Sequence, residues 1–90
     1  MPRCFYCDAP LRRKSAKMDR SATVDHVFPK QMVSAWSHSD DWRRRNRVLC
    51  CKRCNNKKGH MAPDKWARFV THQAGMERFA HLLAELALSR

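Results

Sequence analysis

Ninety residues make one small domain, 1–90, a size at which folding hides only about 60–65% of the unfolded chain's surface, so a metal staple is a natural supplement to a modest core. Nineteen Lys and Arg against eight Asp and Glu give a formal charge of +11. This favours a polyanionic partner, nucleic acid before a membrane surface, because no basic amphipathic helix with a bulky apolar face runs through the charged stretches. The start Met-Pro-Arg-Cys lacks an apolar signal region and no uncharged apolar run approaches 18 residues, so the expected setting is the cytoplasm, where reduced thiols bind metal instead of forming disulfides.

In chain order, Cys4-Phe5-Tyr6-Cys7 forms a first CxxC turn. Residues 11–20 are polar, basic and aperiodic, and read as an extended arm that is either solvated or in contact with phosphates through Arg12, Arg13 and Lys14. Residues 22–28 are rich in β-branched and aromatic side chains and stop at Pro29, which predicts a short strand. A brief helix over 30–36 follows, then a loop over 37–45, because Ser-His-Ser-Asp-Asp has turn chemistry and Arg43, Arg44 and Arg45 resist burial. A second strand over 46–51 leads into the second CxxC, and one or two helical turns after Cys54 end at Gly59. Pro63 suits the first position of a helix over 63–72. A last helix over 75–88 carries Met76, Phe79, Leu83, Leu86 and Ala87 on one stripe, read as core before dimer face. Trp36, Trp42 and Trp66 are expected in the core, with Trp42, beside the arginines, the best placed to touch a sugar or base.

Two CxxC turns some forty residues apart fit a closed tetrahedral site in which Cys4, Cys7, Cys51 and Cys54 hold a structural Zn²⁺. A redox role for either pair needs a βαβ context that the chain lacks. Pairing Cys50 with Cys54 gives a CxxxC, so Cys51 is the expected ligand and Cys50 a small buried residue. With four thiolates and one zinc the net charge stays near about +9.

The run Thr23-Val24-Asp25-His26-Val27-Phe28-Pro29, with Asn46 five residues before Cys51 and Asn55-Asn56-Lys57-Lys58-Gly59 after Cys54, resembles the signature of the HNH endonucleases. The similarity spans about 4–59 and leaves 60–90 as a helical extension. Asn55 stands at the third signature position, as in the H-N-N subgroup. The resemblance implies an α+β, ββα-metal fold in which the helix opening at Asn55 packs on the hairpin, followed here by two C-terminal helices. It also implies that Asn46 holds the strand bearing His26.

Hydrolysis of a phosphodiester requires a deprotonated water and a cation near the leaving 3′ oxygen. His26 has an ordinary pKa suited to a general base at neutral pH. Asp25 and the Asn55 amide oxygen are the expected ligands of Mg²⁺ or Mn²⁺, which favour oxygen donors. Adjacent strand residues point to opposite faces, so Asp25 and His26 serve one phosphate only if the strand distorts or the substrate bridges them. Lys58, three residues after Asn55, is read either as a phosphate contact or as a solvated lysine, and Arg43, Arg44, Arg45 and Arg47 as further contacts to nucleic acid. His38 is a candidate substrate contact, whereas His60, His72 and His81 read as surface residues.

The expected activity is metal-dependent nicking of duplex DNA, in preference to RNA, with low sequence specificity. Two other classes share parts of the pattern. A zinc module that binds without cutting would not need Asp25, His26 and Asn55 together. A zinc interaction domain of a phage or mobile-element assembly would dock, or dimerise, through the 76–87 stripe.

Overall fold

The computed structural model describes residues 2–12, 20–33 and 38–88. Its sheet is the hairpin of β1 (Ala22–His26) and β2 (Arg47–Cys51), antiparallel, with Thr23 opposite Cys50, Asp25 opposite Val48 and His26 opposite Arg47. Alternation along β2 buries Val48 and Cys50 and leaves Arg47 and Leu49 outside. The expected strand over 22–28 stops at His26, because Val27 and Phe28 bend away to bond Asn46. The ends of the basic arm are pinned together, with Arg12 N donating to Arg20 O and Ala22 N to Arg12 O. Residues 13–19, including Arg13 and Lys14, lie outside the described residues.

Helix α1 (Lys30–Val33) follows Pro29, and the rest of the expected 30–36 helix, with Trp36, also lies outside the described residues. The expected 37–45 loop is corrected: α2 (Asp40–Arg45) is helical. Ser39, read as turn chemistry, is its N-cap and accepts from Trp42 N at 3.1 Å, while Asp40 and Asp41 occupy the first turn and three arginines the last, as the helix dipole favours. Only Trp42 of the six residues is buried, so the segment has no apolar period for sequence reading to detect.

Helix α3 (Lys52–Lys58) begins at Cys51, whose Sγ accepts from Cys54 N, and ends at Gly59, whose φ of 54° suits a residue without Cβ. The expected 63–72 helix is shorter: α4 (Pro63–Trp66) passes into a 3₁₀ turn (Ala67–Phe69), and buried Val70 adopts extended backbone.

Helix α5 (Gln73–Leu88) runs against the N-terminal CxxC turn, and its inward face is Gly75, Phe79 and Leu86 with Leu82 and Leu83 partly covered. The expected stripe is therefore rotated, since Met76 is 49% exposed and Ala87 is exposed. The cause is Gly75: a Cβ there would stand 1.8 Å from Tyr6 O, so helix and turn meet backbone to backbone. Arg78 completes the joint by donating to Phe5 O and Cys4 O, each at 3.1 Å, and pairing with Asp8 at 3.1 Å. Phe79 and Trp66 meet the Tyr6 ring edge-to-face. Phe79, Leu83 and Leu86 of the stripe thus pack into the domain, in line with its reading as core, whereas Met76 and Ala87 stay outside. No helix among the described residues is long and apolar enough to cross a membrane.

Candidate active site and metal centre

The two CxxC turns converge. The Sγ atoms of Cys4, Cys7, Cys51 and Cys54 all lie within 4.8 Å of one another, and those of Cys7 and Cys51 are 3.8 Å apart. Four sulfurs each about 2.3 Å from one ion stand about 3.8 Å apart at the corners of a tetrahedron, so the donor set fits zinc. In each turn the first sulfur accepts from the backbone N–H of the last cysteine, Cys7 N to Cys4 Sγ and Cys54 N to Cys51 Sγ, both at 3.4 Å. Arg20 Nη1 donates to Cys7 Sγ at 3.5 Å. A hydrogen bond from Cys54 chiefly holds the Cys4 thiol down at about 4, and the same bond pushes Cys54 up. Cys50, fully buried on β2, is pushed up to about 12 by burial and stays a thiol outside the cluster. A zinc ion here would tie the N-terminal turn to the junction of β2 and α3.

The hairpin's far end carries the other chemistry. His26 closes β1 and lines an open cleft of about 510 Å³ with Lys30, Arg43, Arg44, Asn46 and Arg47. Burial, followed by the nearby cations Lys30, Arg47 and Lys58, lowers its pKa against the opposing pull of Asp25, so its imidazole is neutral at neutral pH. Asn46 is buried beneath it: its Oδ1 accepts from Phe28 N at 2.8 Å and its Nδ2 donates to Phe28 O at 3.1 Å. With Asn46 O accepting from Val27 N as well, the backbone immediately after His26 is held at three points.

Asp25 lies behind the strand, as a period of two requires, and does not line that cleft. It is 5% exposed; its Oδ2 accepts from Tyr6 Oη at 2.5 Å and lies 3.3 Å from Lys58 Nζ. Burial and the adjacent carboxylate raise the Tyr6 pKa, which keeps the phenol a donor. Asn55 spends its amide nitrogen on Thr23 Oγ1 at 3.1 Å and Val24 O at 3.4 Å, and Thr23 and Asp25 share one face of β1.

Three expectations are corrected. Lys58 is neither a solvated lysine nor a surface phosphate contact: at 1% exposure its ammonium binds Asp25 and donates to His26 O at 3.0 Å. Trp42 is fully buried, stacked on His38 with ring centroids 3.7 Å apart, and its Nε1 donates to Leu86 O. It presents no face to a base, and the stacked His38 ring joins it in packing. Of the remaining arginines, Arg45 pairs with Asp41 at 3.1 Å and, with Arg47, lines a second groove, while Arg12 is exposed at the base of the arm. Sequence reading missed Tyr6, Lys30 and Arg78. Tyr6 sits between two cysteines, where an aromatic residue reads as filler, and Arg78 carries no signal because its partners are backbone oxygens 73 and 74 residues away.

No curated protein and no solved structure matches the chain. The model of a family described as HNH endonuclease matches residues 4–64, from the first CxxC cysteine to the start of α4 and well over half of the sequence. That span contains the four-cysteine cluster, the His26 hairpin and α3 in the ββα-metal order described above. The chain belongs to the HNH endonuclease family.

Proposed function

We propose that the chain is a metal-dependent endonuclease that hydrolyses DNA phosphodiester bonds and nicks duplex DNA with low sequence specificity. The observation that carries this reading is His26, a neutral, part-buried imidazole at the clamped end of β1, in a cleft edged by Arg43, Arg44, Arg47 and Lys30. A scissile phosphate entering the cleft meets the guanidinium groups, which offset its charge and align it. Neutral His26 then takes the proton of the attacking water. The Asn46 clamp keeps the imidazole in position, and Lys58 holds the same segment through the His26 carbonyl.

Asp25, through the oxygen bonded to neither Tyr6 nor Lys58, and the Asn55 amide oxygen are the residues that would hold Mg²⁺ or Mn²⁺; because Asp25 lies behind β1 and outside the His26 cleft, the substrate phosphate would have to bridge the two faces at the end of the strand. Such an ion, when bound, supplies positive charge for the developing phosphorane and the leaving 3′ oxygen. Arginines contacting phosphates carry no base information, so affinity rests on charge and falls steeply with salt. One His26 serves one strand at a time, hence nicking first.

The test is a supercoiled-plasmid time course with Mg²⁺, Mn²⁺, Zn²⁺ or EDTA, beside a His26→Ala protein. Open circles should precede linear product, EDTA should stop the reaction, and His26→Ala should bind DNA without cutting it. Cutting by His26→Ala at the parent rate would remove the proposed base, and binding without any cutting by the parent protein would favour a zinc module that only binds.

A further inference from the structure

We infer that the chain carries a second nucleic-acid contact, a stacking site for an unpaired base, on the side of α3 turned away from β1. It rests on the reading of a nucleic-acid substrate and extends that reading to single strands. On α3, Asn55 and Lys58 point to β1, where they make their hydrogen bonds. Arg53 and Lys57, one turn apart on another face, line a cavity of about 270 Å³ bounded by the first zinc turn and residues 66–72. The lining includes Arg20, Arg53, Lys57 and His72 and no carboxylate. Arg20 is engaged with the Cys7 sulfur, whereas Arg53 and Lys57 form no ion pair among the described residues.

The aromatic half of the site is Phe69. It is 42% exposed, and its ring lies against that of Trp66 at 6.1 Å between centroids and 22° between planes. Trp66 is 2% exposed, so the ring behind Phe69 is fixed by the core, and Lys57 Nζ stands 5.4 Å from the Phe69 centroid. An exposed ring backed by a rigid one and flanked by cations is the composition of a single-strand platform: the ring takes the base and the cations take the phosphates on either side. A lysine over an exposed ring is a weak contact that a stacked base replaces, which frees Lys57 for the backbone. A protein helix seeking an apolar groove would find this cavity too charged, whereas the complementarity suits a strand with its bases unpaired.

The experiment measures binding by fluorescence anisotropy in the His26→Ala background, with oligo-dT and a blunt duplex of equal length over a salt series. Adding Phe69→Ala should weaken oligo-dT binding about tenfold and leave duplex binding unchanged, because paired bases offer no free face. Adding Arg53→Ala and Lys57→Ala together should lower the oligo-dT slope of log K against log salt by about 1.4, two phosphate contacts on a single strand. Circular dichroism of Phe69→Ala, together with its unchanged duplex binding, separates loss of the platform from loss of the fold. Unchanged oligo-dT affinity in Phe69→Ala, or equal loss on both DNAs, overturns the stacking site alone. Failure of the His26→Ala parent to bind either DNA overturns the nucleic-acid reading with it.

Discussion

Lys58→Ala separates the interior lysine from the phosphate-binding lysine that its place in a basic run suggests. The substitution leaves the Asp25 carboxylate 5% exposed with Tyr6 as its remaining side-chain donor and strips the His26 carbonyl of its ammonium. Removing one partner of a buried ion pair costs about 3–5 kcal/mol, because the other charge stays desolvated and uncompensated. At roughly 0.05–0.15 kcal/mol per residue a 90-residue domain has about 5–13 kcal/mol in total, so the loss is about a quarter of it or more. With about 4–8 °C of Tm per kcal/mol at this size, the zinc-loaded variant should melt at least ~12 °C below the parent. A phosphate contact would behave differently: its removal lowers the duplex salt slope by about 0.9 and leaves Tm nearly unchanged. Thermal unfolding by circular dichroism and a salt titration of duplex binding, with His26→Ala in both proteins, read the two quantities independently. Asp25→Asn with Lys58→Met removes both charges and should recover most of the lost Tm. A Lys58→Ala protein that melts with the parent and shows the flattened slope would refute the buried-pair account.

Other outcomes follow from the same geometry. Metal analysis should find about one zinc per chain; Cys54→Ser should lose the zinc and most of the fold, whereas Cys50→Ser, outside the cluster, should keep both. Zinc retained in full by Cys54→Ser would overturn the ligand set. His26→Ala should cut about 10²–10⁴-fold more slowly, the usual cost of losing a general base. Because the active form is the neutral imidazole and its pKa is lowered, the rate should hold at neutral pH and fall on acidification with its inflection below 6.5; an inflection above that value would contradict the placement. Gly75→Ala gains about 1 kcal/mol of helix propensity but puts a methyl 1.8 Å from Tyr6 O, an overlap costing about 1–3 kcal/mol or more, so Tm should fall rather than rise.

Local chemistry made the candidate metal site legible: each CxxC turn pre-forms its own N–H to sulfur bond within four residues, so the four cysteines, with Cys50 set apart, could be named from spacing, while their convergence is tertiary. The two strands and the stop at Gly59 were legible for the same reason, since strand propensity and helix ends are properties of neighbours, whereas the helix expected after Cys54 begins earlier, at Lys52. The α2 helix was not, because its single buried residue, Trp42, is held by Leu86 of α5, 44 residues away, and six residues hold no readable period. On α5 the sequence placed Phe79, Leu83 and Leu86 inward but not the edge of the face, because apolarity marks Met76, whereas close approach to the Tyr6 backbone selects Gly75. Lys58 shows the division most plainly. Its sequence neighbours are basic and solvated, and only the packing of α3 on β1, with Tyr6 closing the other side, brings Asp25 Oδ2 to it and makes an interior position favourable for a charge. Burial of an ion depends on a partner, and that partner lies 33 residues earlier in the chain, so tertiary structure alone decided it.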